Sequence, residues 1–320
     1  MRILLPGGNG HLGALLAKAF NAAGHQATVL SRSPERALSR QPHPWRVLHW
    51  DGCSQGDWTE ELHQSDVVIN LAGRSVNCRY TQANRGAILH SRLNSTAAIG
   101  EAIRLSPTPP RLWMNASTAT IYRHSFDHPM DEATGEIGGG EPGAPRRWDF
   151  SIEVATRWEE AFFQAPLPAT RRIALRSAIV MSEDARGPFA LLSQVVRLGL
   201  GGRNGSGKQF VSWVHQADFV RAIEFLIEHQ ELDGVVNIAA PHPLPNSAFM
   251  QALREAWGVS IGLPATAWML ELATFFLRTE TELLLKSRRV VPGRLLEAGF
   301  PFHFSHWEDA AKDLVRKLRE

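Results

Sequence analysis

Short apolar runs alternate with longer segments in which apolar residues recur every three or four positions, over the first two-thirds of the chain. The short runs predict β-strands and the longer segments predict amphipathic helices. The predicted strands are Ile3–Leu5, Ala27–Leu30, Arg46–His49, Val67–Leu71, Arg111–Asn115, Arg172–Ile179 and Val235–Ile238. The predicted helices are Leu12–Ala23, Ala87–Leu105, Phe150–Gln164 and Ala217–His229. Because apolar strands that alternate with helices form parallel sheets covered on both faces, the pattern predicts an α/β fold with a doubly wound parallel sheet.

Two stretches interrupt this alternation. The segment Phe126–Arg147 is rich in glycine, proline and charge, and it predicts a loop over the edge of the sheet. The segment Ser182–Gln216 contains GLGGRNGSGK and predicts a second, flexible loop. After Pro241 the pattern becomes mainly helical. We therefore expect a larger α/β domain of residues 1–181 and 217–240, and a smaller, mainly helical C-terminal lobe of residues 182–216 and 241–320.

The composition fits a globular protein that binds neither nucleic acid nor membranes. The chain has 320 residues and is 44% hydrophobic, which is enough for a large packed core. Its 34 basic and 32 acidic residues are spread along the chain, so no basic stripe points to a nucleic-acid partner. The most apolar late stretch, Ala265–Leu277, contains Glu271 and is too short to span a bilayer.

Cysteine usage and the first residues bear on localisation. Cys53 and Cys78 lack the spacing of a metal site or a redox CxxC motif, and so few cysteines fit a reducing compartment. A strand-like run directly follows the first two residues, so we expect no signal peptide. We expect a cytoplasmic protein without a metal site, because His124 and His128 lie in a loop without a suitable acidic pair.

Three glycines, Gly7, Gly10 and Gly13, lie at steps of three between the first strand and the first helix. In dinucleotide-binding loops one glycine allows the tight turn, one lets the backbone approach a pyrophosphate, and one lets helix and strand pack closely. The free N–H groups at the helix N-terminus then face the phosphates. The spacing therefore predicts a dinucleotide site, with a tight turn that binds nothing as the alternative. A phosphate-loop NTPase is disfavoured because no GK[ST] follows these glycines.

The end of the second strand indicates which dinucleotide is bound. An acid there would hold the ribose 2′-hydroxyl of NAD, whereas an arginine accommodates the 2′-phosphate of NADP. Ser31 and Arg32 stand at that point, no acid occurs before Glu35, and Arg36 follows. We therefore predict NADP rather than NAD, with a solvated loop position for Arg32 as the alternative.

Further motifs follow in a fixed order along nearly the whole chain. They are Gly7–Gly13, Trp50-Asp51, Asn70–Gly73, Ser91–Thr96, Ala116–Tyr122, Gly205–Asp218 and Leu283–Phe300. With these motifs the chain resembles the extended short-chain dehydrogenase/reductases, in particular the sugar-nucleotide epimerase-like branch with a C-terminal domain of unknown function. The resemblance implies an NAD(P)-binding Rossmann domain, a C-terminal lobe that closes over a substrate cleft, and a nucleotide sugar or similar polar substrate. A homodimer through the helices Ala87–Leu105 and Phe150–Gln164 would suit the wider family.

The glycine loop, the second strand and this resemblance together give a set of expected cofactor contacts. These residues are Gly7, Asn9, Gly10, His11, Leu12, Gly13, Ser31, Arg32, Arg36, Asp51, Leu71, Ala72, Gly73 and Ser117.

The chain departs from the family at its catalytic tyrosine and lysine. Active members use a Ser or Thr with a Tyr-x-x-x-Lys pair, because a nearby ammonium lowers the pKa of the tyrosine that moves the proton. The chain has two tyrosines, and neither is followed four residues later by lysine. The family's tyrosine position falls near Phe150 or Ser151, and its lysine position near Val154 or Ala155.

Other residues therefore become candidates for the chemistry. Thr118 matches the Ser/Thr position, while Tyr122 and His215 are candidate acids, although Tyr122 is usually a structural aromatic and His215 fits a helix cap equally well. The candidate substrate contacts are Arg79, Tyr80, Lys208 and Trp213. Two functions remain open: an NADP-dependent oxidoreductase or epimerase, and a protein that binds NADP(H) without catalysis, as a sensor or structural subunit.

Overall fold

The computed structural model describes residues 1–35, 44–142, 144–185, 187–266, 269 and 282–320. The strands are β1 (Arg2–Pro6), β2 (Gln26–Ser31), β3 (Arg46–His49), β4 (Val67–Asn70), β5 (Leu112–Thr118), β6 (Arg171–Ser177), β7 (Ile179–Met181), β8 (Phe210–Val211), β9 (Trp213–His215), β10 (Gly234–Ile238) and β11 (Leu244–Pro245). The helices are α1 (His11–Ala22), α2 (Trp58–His63), α3 (Gln82–Leu105), α4 (Asp149–Gln164), α5 (Pro188–Arg197), α6 (Gln216–Glu228), α7 (Asn246–Trp257), α8 (Glu282–Leu285), α9 (Gly293–Glu297) and α10 (Trp307–Arg319).

Seven strands form one parallel sheet in the order β10-β6-β5-β4-β1-β2-β3. The chain moves outward from β1 to β3 and then crosses back to β4 on the other side of β1. In such a doubly wound sheet, ligands bind at the carboxyl ends of the strands where the order reverses. The predicted α/β fold is confirmed. Its topology predicts a ligand site at the carboxyl ends of β1 and β4.

Alternate residues of the strands pack against helices on opposite faces of the sheet. Ile3 and Leu5 face a cluster that includes Phe20 of α1 and Phe219 of α6. Leu4 belongs to a cluster on the other side, together with residues of α3 and α4. Both faces are therefore buried, as the nearly continuous apolar strands predict.

The predicted strands of the large sheet agree with the observed ones to within two residues at each end, except that β5 ends three residues beyond its predicted end, at Thr118. Helix α3 begins five residues before its predicted start, at Gln82, because the side chain of Thr81 caps it by accepting from the Asn84 N–H. The prediction of one flexible loop over Ser182–Gln216 is wrong. That segment contains α5, β8 and β9, and Phe189 and Val196 of α5 are buried.

A third apolar cluster lies outside the sheet and joins α5, α7 and α10. Its centre is aromatic: the rings of Phe249 and Trp307 stack at 4.1 Å, and Trp213 lies 5.1 Å from Trp307. Leu295 and Phe300, by contrast, pack into the sheet cluster with α6. The exact division of the chain into two lobes stays a prediction. No helix in the described part of the chain has the length and apolar character needed to cross a membrane.

Candidate functional site

A cleft of about 500 Å³ lies at the carboxyl ends of β1, β2 and β4. It brings together nine of the residues expected to contact a cofactor: Gly7, Asn9, Gly10, Ser31, Arg32, Asp51, Leu71, Ala72 and Gly73. Its position is the one that the reversal of strand order predicts for a ligand.

The glycine loop is built by contacts that no side chain would permit. Gly7 has a φ of +76°, and a Cβ there would lie 2.6 Å from the Cα of Ala72. A Cβ at Gly13 would lie 2.2 Å from the Cα of Gly8, so this glycine lets α1 pack on the loop. Gly8 is itself required, since its Cβ would lie 2.8 Å from the Leu5 carbonyl oxygen, and the spacing pattern missed it. Gly10 lines the cleft, and a Cβ there would make one ordinary contact, 3.5 Å from the Gly7 carbonyl oxygen, so the start of the helix is less crowded than Gly7, Gly8 and Gly13.

The N-terminus of α1 is suited to an anion. Gly10 is its N-cap and offers no capping side chain. The Ala14 N–H donates to the Gly10 carbonyl at 2.9 Å, so the amides of His11, Leu12 and Gly13 precede the first bond of the helix. Such amides and the helix dipole favour a phosphate at this place. The residues therefore fit the pyrophosphate of a dinucleotide.

The side chains of His11 and Leu12 make contacts other than those expected with a cofactor. The His11 ring Nδ1 lies 3.2 Å from a carboxylate oxygen of Asp184, in the segment after β7. Leu12 packs against the apolar cluster of the sheet. Any contribution of these two residues to a cofactor would come from their backbone amides.

The end of β2 presents polar groups to the cleft. The Ser31 hydroxyl accepts from the side chain of Asn9 at 3.2 Å and from the Ser33 N–H at 3.1 Å. Arg32 lies between these serines with an exposed side chain, and all three residues line the cleft. Arg36, the second predicted phosphate contact, lies outside the described residues. The end of β2 therefore offers hydroxyl and guanidinium donors where a cofactor's adenosine ribose is expected.

Asp51 follows β3 on the far wall of the cleft. Its carboxylate accepts from the backbone N–H groups of Cys53 and Ser54, each at 2.8 Å. These hydrogen bonds hold the pKa of Asp51 well below its usual range. The carboxylate is therefore ionised, and one of its oxygens is occupied by hydrogen bonds within its own turn.

The segment after β4 is held in place by asparagines. The Asn70 side chain donates to Asn115 at 2.7 Å and accepts from the Ala72 N–H at 3.0 Å. This pair fixes the floor of the cleft, where Leu71, Ala72 and Gly73 approach the glycine loop. Arg74, Ser91 and Asn94 also line the cleft. Ser91 and Asn94 belong to the predicted motif Ser91–Thr96 but are not among the expected cofactor contacts, and Arg74 lies outside the predicted motifs.

Thr118 and Ser117 end β5 but face different surroundings. The Thr118 hydroxyl oxygen accepts from the Thr120 N–H at 3.2 Å and is half-buried, so its own proton can still be donated. The Ser117 hydroxyl is buried and donates to a Glu159 carboxylate oxygen at 2.5 Å. This position argues against the expected contact between Ser117 and a cofactor. Thr118 stays a candidate for holding a substrate oxygen.

Tyr122 is packed as a structural residue, which corrects the expectation that it serves as an acid. Its buried hydroxyl donates to Asn237 at 3.0 Å, and the guanidinium of Arg176 lies 4.9 Å from the centre of its ring. Burial raises the pKa of Tyr122. Tyr122 is also not among the residues that line the cleft.

His215 is a helix cap, so the candidate acid is corrected to its structural alternative. Its ring Nδ1 accepts from the Ala217 N–H at 3.1 Å, and its Nε2 lies 3.1 Å from a carboxylate oxygen of Asp313. The ring also packs on Phe304. Burial lowers the pKa of His215 to about 4, so the imidazole is neutral near pH 7.

The candidate substrate residues occupy three different places. Trp213 is fully buried in the third apolar cluster, and that position corrects its expected role as a substrate contact. Lys208 is exposed in a turn. Tyr80 is half-buried, with its ring edge-on to Phe150 at 5.0 Å, and Arg79 precedes it. The roles of Lys208, Arg79 and Tyr80 stay predictions.

A second cavity, of about 600 Å³, lies at the amino ends of β5, β6 and β10. Two of its arginines stabilise helix ends. Arg171 donates to the Leu226 carbonyl near the end of α6 at 2.8 Å, and Arg172 donates to the Ala165 carbonyl after α4 at 2.7 Å. Because these guanidinium groups are occupied and ligands bind at the opposite ends of parallel strands, we assign the functional site to the first cleft.

Comparisons with known proteins agree with this geometry. Residues 3–145 match the NAD dependent epimerase/dehydratase family, and residues 265–314 match a domain of unknown function, DUF1731. The chain is 30% identical over 318 residues to the Homo sapiens epimerase family protein SDR39U1, and the match covers 98% of this chain and 100% of that protein.

Solved structures show the same fold. The crystal structure of human SDR39U1 (isoform 2) with NADPH matches with a TM-score of 0.82 and 28% identity, over 99% of this chain and all of that one. UDP-N-acetylglucosamine 4-epimerase from Bacillus cereus matches with a TM-score of 0.74 over the full length of both chains, at 15% identity. The chain therefore belongs to the NAD-dependent epimerase/dehydratase family, in the branch that carries the C-terminal domain of unknown function.

Proposed function

We propose that the cleft binds NADP(H), and that the protein acts as an oxidoreductase or epimerase on a polar carbonyl or carbinol compound, such as a nucleotide sugar. The observation that carries the cofactor assignment is the end of β2. Ser31, Arg32 and Ser33 line the cleft there, and the first acid of this segment, Glu35, is exposed and does not line it. Arginine and hydroxyl donors suit the 2′-phosphate of NADP, whereas NAD needs a carboxylate for its free hydroxyl.

The glycine loop supports binding of the pyrophosphate. Gly10 lines the cleft, and the start of α1, which has no capping side chain, offers N–H donors to phosphate oxygens. The relative SDR39U1 was crystallised with NADPH, which agrees with this assignment. When bound, NADPH would supply a hydride to a carbonyl carbon, and NADP⁺ would accept one from a carbinol carbon.

The residues available for chemistry are few. The Thr118 hydroxyl can donate to a substrate oxygen, because the Thr120 N–H occupies its acceptor side. The substrate class comes from the family resemblance, and the Bacillus cereus protein with this fold is a UDP-N-acetylglucosamine 4-epimerase. An epimerase would retain its cofactor and isomerise the sugar, while a reductase would consume NADPH.

The alternative is a protein that binds NADP(H) as a sensor or structural subunit without catalysis. A specific observation favours it: α4 carries Phe150 and Ser151 near the position of the family's tyrosine. Phe150 packs against Tyr80, and the second tyrosine, Tyr122, is buried away from the cleft. A measurable turnover that Thr118→Ala abolishes would exclude this alternative.

The cofactor assignment is tested by titrating the protein with NADPH and NADH. We expect tighter binding of NADPH, and we expect Arg32→Ala to weaken it by about tenfold while leaving NADH binding nearly unchanged, since one charge-assisted phosphate contact is lost. Arg157→Ala is the matched control, because Arg157 is an exposed arginine on α4. An unchanged ratio of the two dissociation constants in Arg32→Ala would refute the assignment.

The reaction is tested by incubating the protein with sugar nucleotides and simple carbonyl compounds in the presence of NADPH or NADP⁺. Isomerised product without net cofactor turnover identifies an epimerase, and oxidation of NADPH identifies a reductase. If the protein binds NADPH but gives neither result, the sensor alternative is favoured.

A further inference from the structure

Helix α4 lacks the family's lysine, but a lysine from the C-terminal region lies buried beside the turn that follows β5. The Lys286 ammonium donates to the Thr120 carbonyl at 2.9 Å, and only 2% of the residue is exposed. The N–H of Thr120 in turn donates to the Thr118 hydroxyl oxygen at 3.2 Å. Lys286 therefore holds the turn that positions the candidate substrate contact, Thr118.

Lys286 belongs to a buried cluster of charged side chains. A Glu282 carboxylate oxygen lies 3.6 Å from the Lys286 Nζ and 4.0 Å from the guanidinium of Arg288. The other carboxylate oxygen accepts from the Ser151 hydroxyl at 2.6 Å. Ser151 lies near the family's tyrosine position, so the cluster links that position on α4 to a lysine from elsewhere in the chain.

Within the described ranges, the buried charged members of this cluster are the cations Lys286 and Arg288 and the carboxylate Glu282. Half-buried Glu141 and His124 also interact with Lys286, and the His124 ring accepts from the backbone N–H of Ser287 at 2.8 Å. Burial, and then the charge of Arg288, lower the pKa of Lys286 to about 8 against the opposing effect of the two carboxylates. The ammonium is therefore mostly charged at pH 7. A buried, incompletely matched ammonium is costly for stability, and such groups are concentrated at functional sites.

We propose that Lys286 is a positioning residue that places positive charge beside the turn after β5, at the carboxyl edge of the sheet that also carries the cofactor cleft, where it favours binding of NADPH over NADP⁺. The oxidised nicotinamide ring carries a positive charge and the reduced ring carries none, so a nearby ammonium selectively disfavours the oxidised form. The inference rests on the proposed function, because it requires NADP(H) in the cleft. It also explains how a chain without the usual lysine supplies a cation at this place.

The test measures dissociation constants for NADP⁺ and NADPH in the full-length protein at pH 7, and no substrate is needed. We expect Lys286→Met to lower the ratio of the NADP⁺ constant to the NADPH constant by about three- to tenfold, because one nearby positive charge is removed. Lys312→Met is the matched control, since Lys312 is exposed on α10, and it should leave the ratio unchanged. Lys286→Arg keeps the charge and should keep the ratio high.

We expect Glu282→Gln to change the ratio of the NADP⁺ constant to the NADPH constant in the opposite direction. Removing this carboxylate takes away one negative charge beside Lys286 and Arg288, so the ratio should rise. If the cluster had a purely structural role, Lys286→Met and Glu282→Gln would change the ratio of the NADP⁺ constant to the NADPH constant in the same direction, or neither would change it. Either result overturns the inference. If Lys286→Met does not fold, the direction of the Glu282→Gln effect decides. A wild-type protein that binds neither nucleotide would overturn the proposed function itself, and the inference with it.

Discussion

Gly10 and Gly13 lie one helical turn apart, but a methyl group would meet different surroundings at the two positions. At Gly13 a Cβ would lie 2.2 Å from the Cα of Gly8, whereas at Gly10 the nearest atom is the Gly7 carbonyl oxygen at 3.5 Å. We expect Gly13→Ala to lower the free energy of unfolding by about 2 kcal/mol, because α1 must move off the loop. We expect Gly10→Ala to keep near-normal stability but to weaken NADPH binding, since the new methyl group enters the cleft.

Urea unfolding and NADPH titration of the two variants separate these effects. Gly10→Ala serves as the stability control for Gly13→Ala, because the substitution is chemically the same. The explanation fails if Gly10→Ala loses as much stability as Gly13→Ala, or if it binds NADPH as tightly as the wild type.

At the scale of single residues, spacing predicts backbone-built features better than side-chain roles. The glycine triplet is visible in the sequence because a strand-to-helix turn has a fixed length. The same spacing does not predict Gly8. A glycine is required there because a side chain would clash with the Leu5 carbonyl oxygen. The burial of Tyr122 and Trp213 argues against their predicted roles, and no local pattern shows that these aromatic residues are buried against segments far along the chain.

Helix α4 is anchored to the sheet by a buried ion pair. The Glu159 carboxylate accepts two hydrogen bonds from the Arg176 guanidinium of β6, at 2.8 and 2.7 Å, and one from Ser117 of β5. We expect Glu159→Gln to lower the free energy of unfolding by about 3 kcal/mol, because it leaves the charge of Arg176 buried without its partner. Thermal or urea unfolding measures the loss.

The neighbouring residue provides the control. Glu160 is exposed on the same helix, so Glu160→Gln should change the free energy of unfolding by no more than about 0.5 kcal/mol. Equal effects of the two substitutions would show that the ion pair does not stabilise the packing of α4 on the sheet.

At the scale of elements, periodicity is a reliable guide where helices and strands alternate. The spacing of apolar residues on α4 is consistent with the burial of Glu159. This residue lies four positions after Ala155 and three before Phe162, on the apolar face of the helix. Periodicity is less useful over Ser182–Gln216, where the short α5, β8 and β9 are separated by glycine-rich turns. Elements this short owe their structure to tertiary contacts, which a local pattern does not reveal.

At the scale of the whole molecule, the C-terminal region contacts segments far back along the chain. Lys286 reaches the turn after β5 across 166 positions of sequence, and Glu282 reaches Ser151 of α4 across 131. The sequence shows neither contact, because ion pairs between distant segments leave no periodic signal. The same holds for His215, whose ring joins the start of α6 to Asp313 of α10.

The burial of His215 makes the stability of the whole protein depend on pH. Its pKa in the folded protein is lowered from 6.5 to about 4, so the unfolded chain binds more protons between these two values. Stability from this residue is therefore fully present above pH 6.5 and is lost as the pH falls towards 4. The loss amounts to about 3 kcal/mol at most, since one pKa unit corresponds to roughly 1.4 kcal/mol.

His215→Asn isolates this contribution from that of the other titrating groups. An asparagine can still accept from the Ala217 N–H as a helix cap, but it does not titrate. The variant loses the contacts with Asp313 and Phe304, so we expect it to be less stable than the wild type at pH 7. The difference in free energy of unfolding should then narrow by up to about 3 kcal/mol between pH 6.5 and 4, measured by urea unfolding at several pH values. A difference that stays constant over this range would mean that burial does not lower the pKa of His215, and that the imidazole can be charged inside the folded protein.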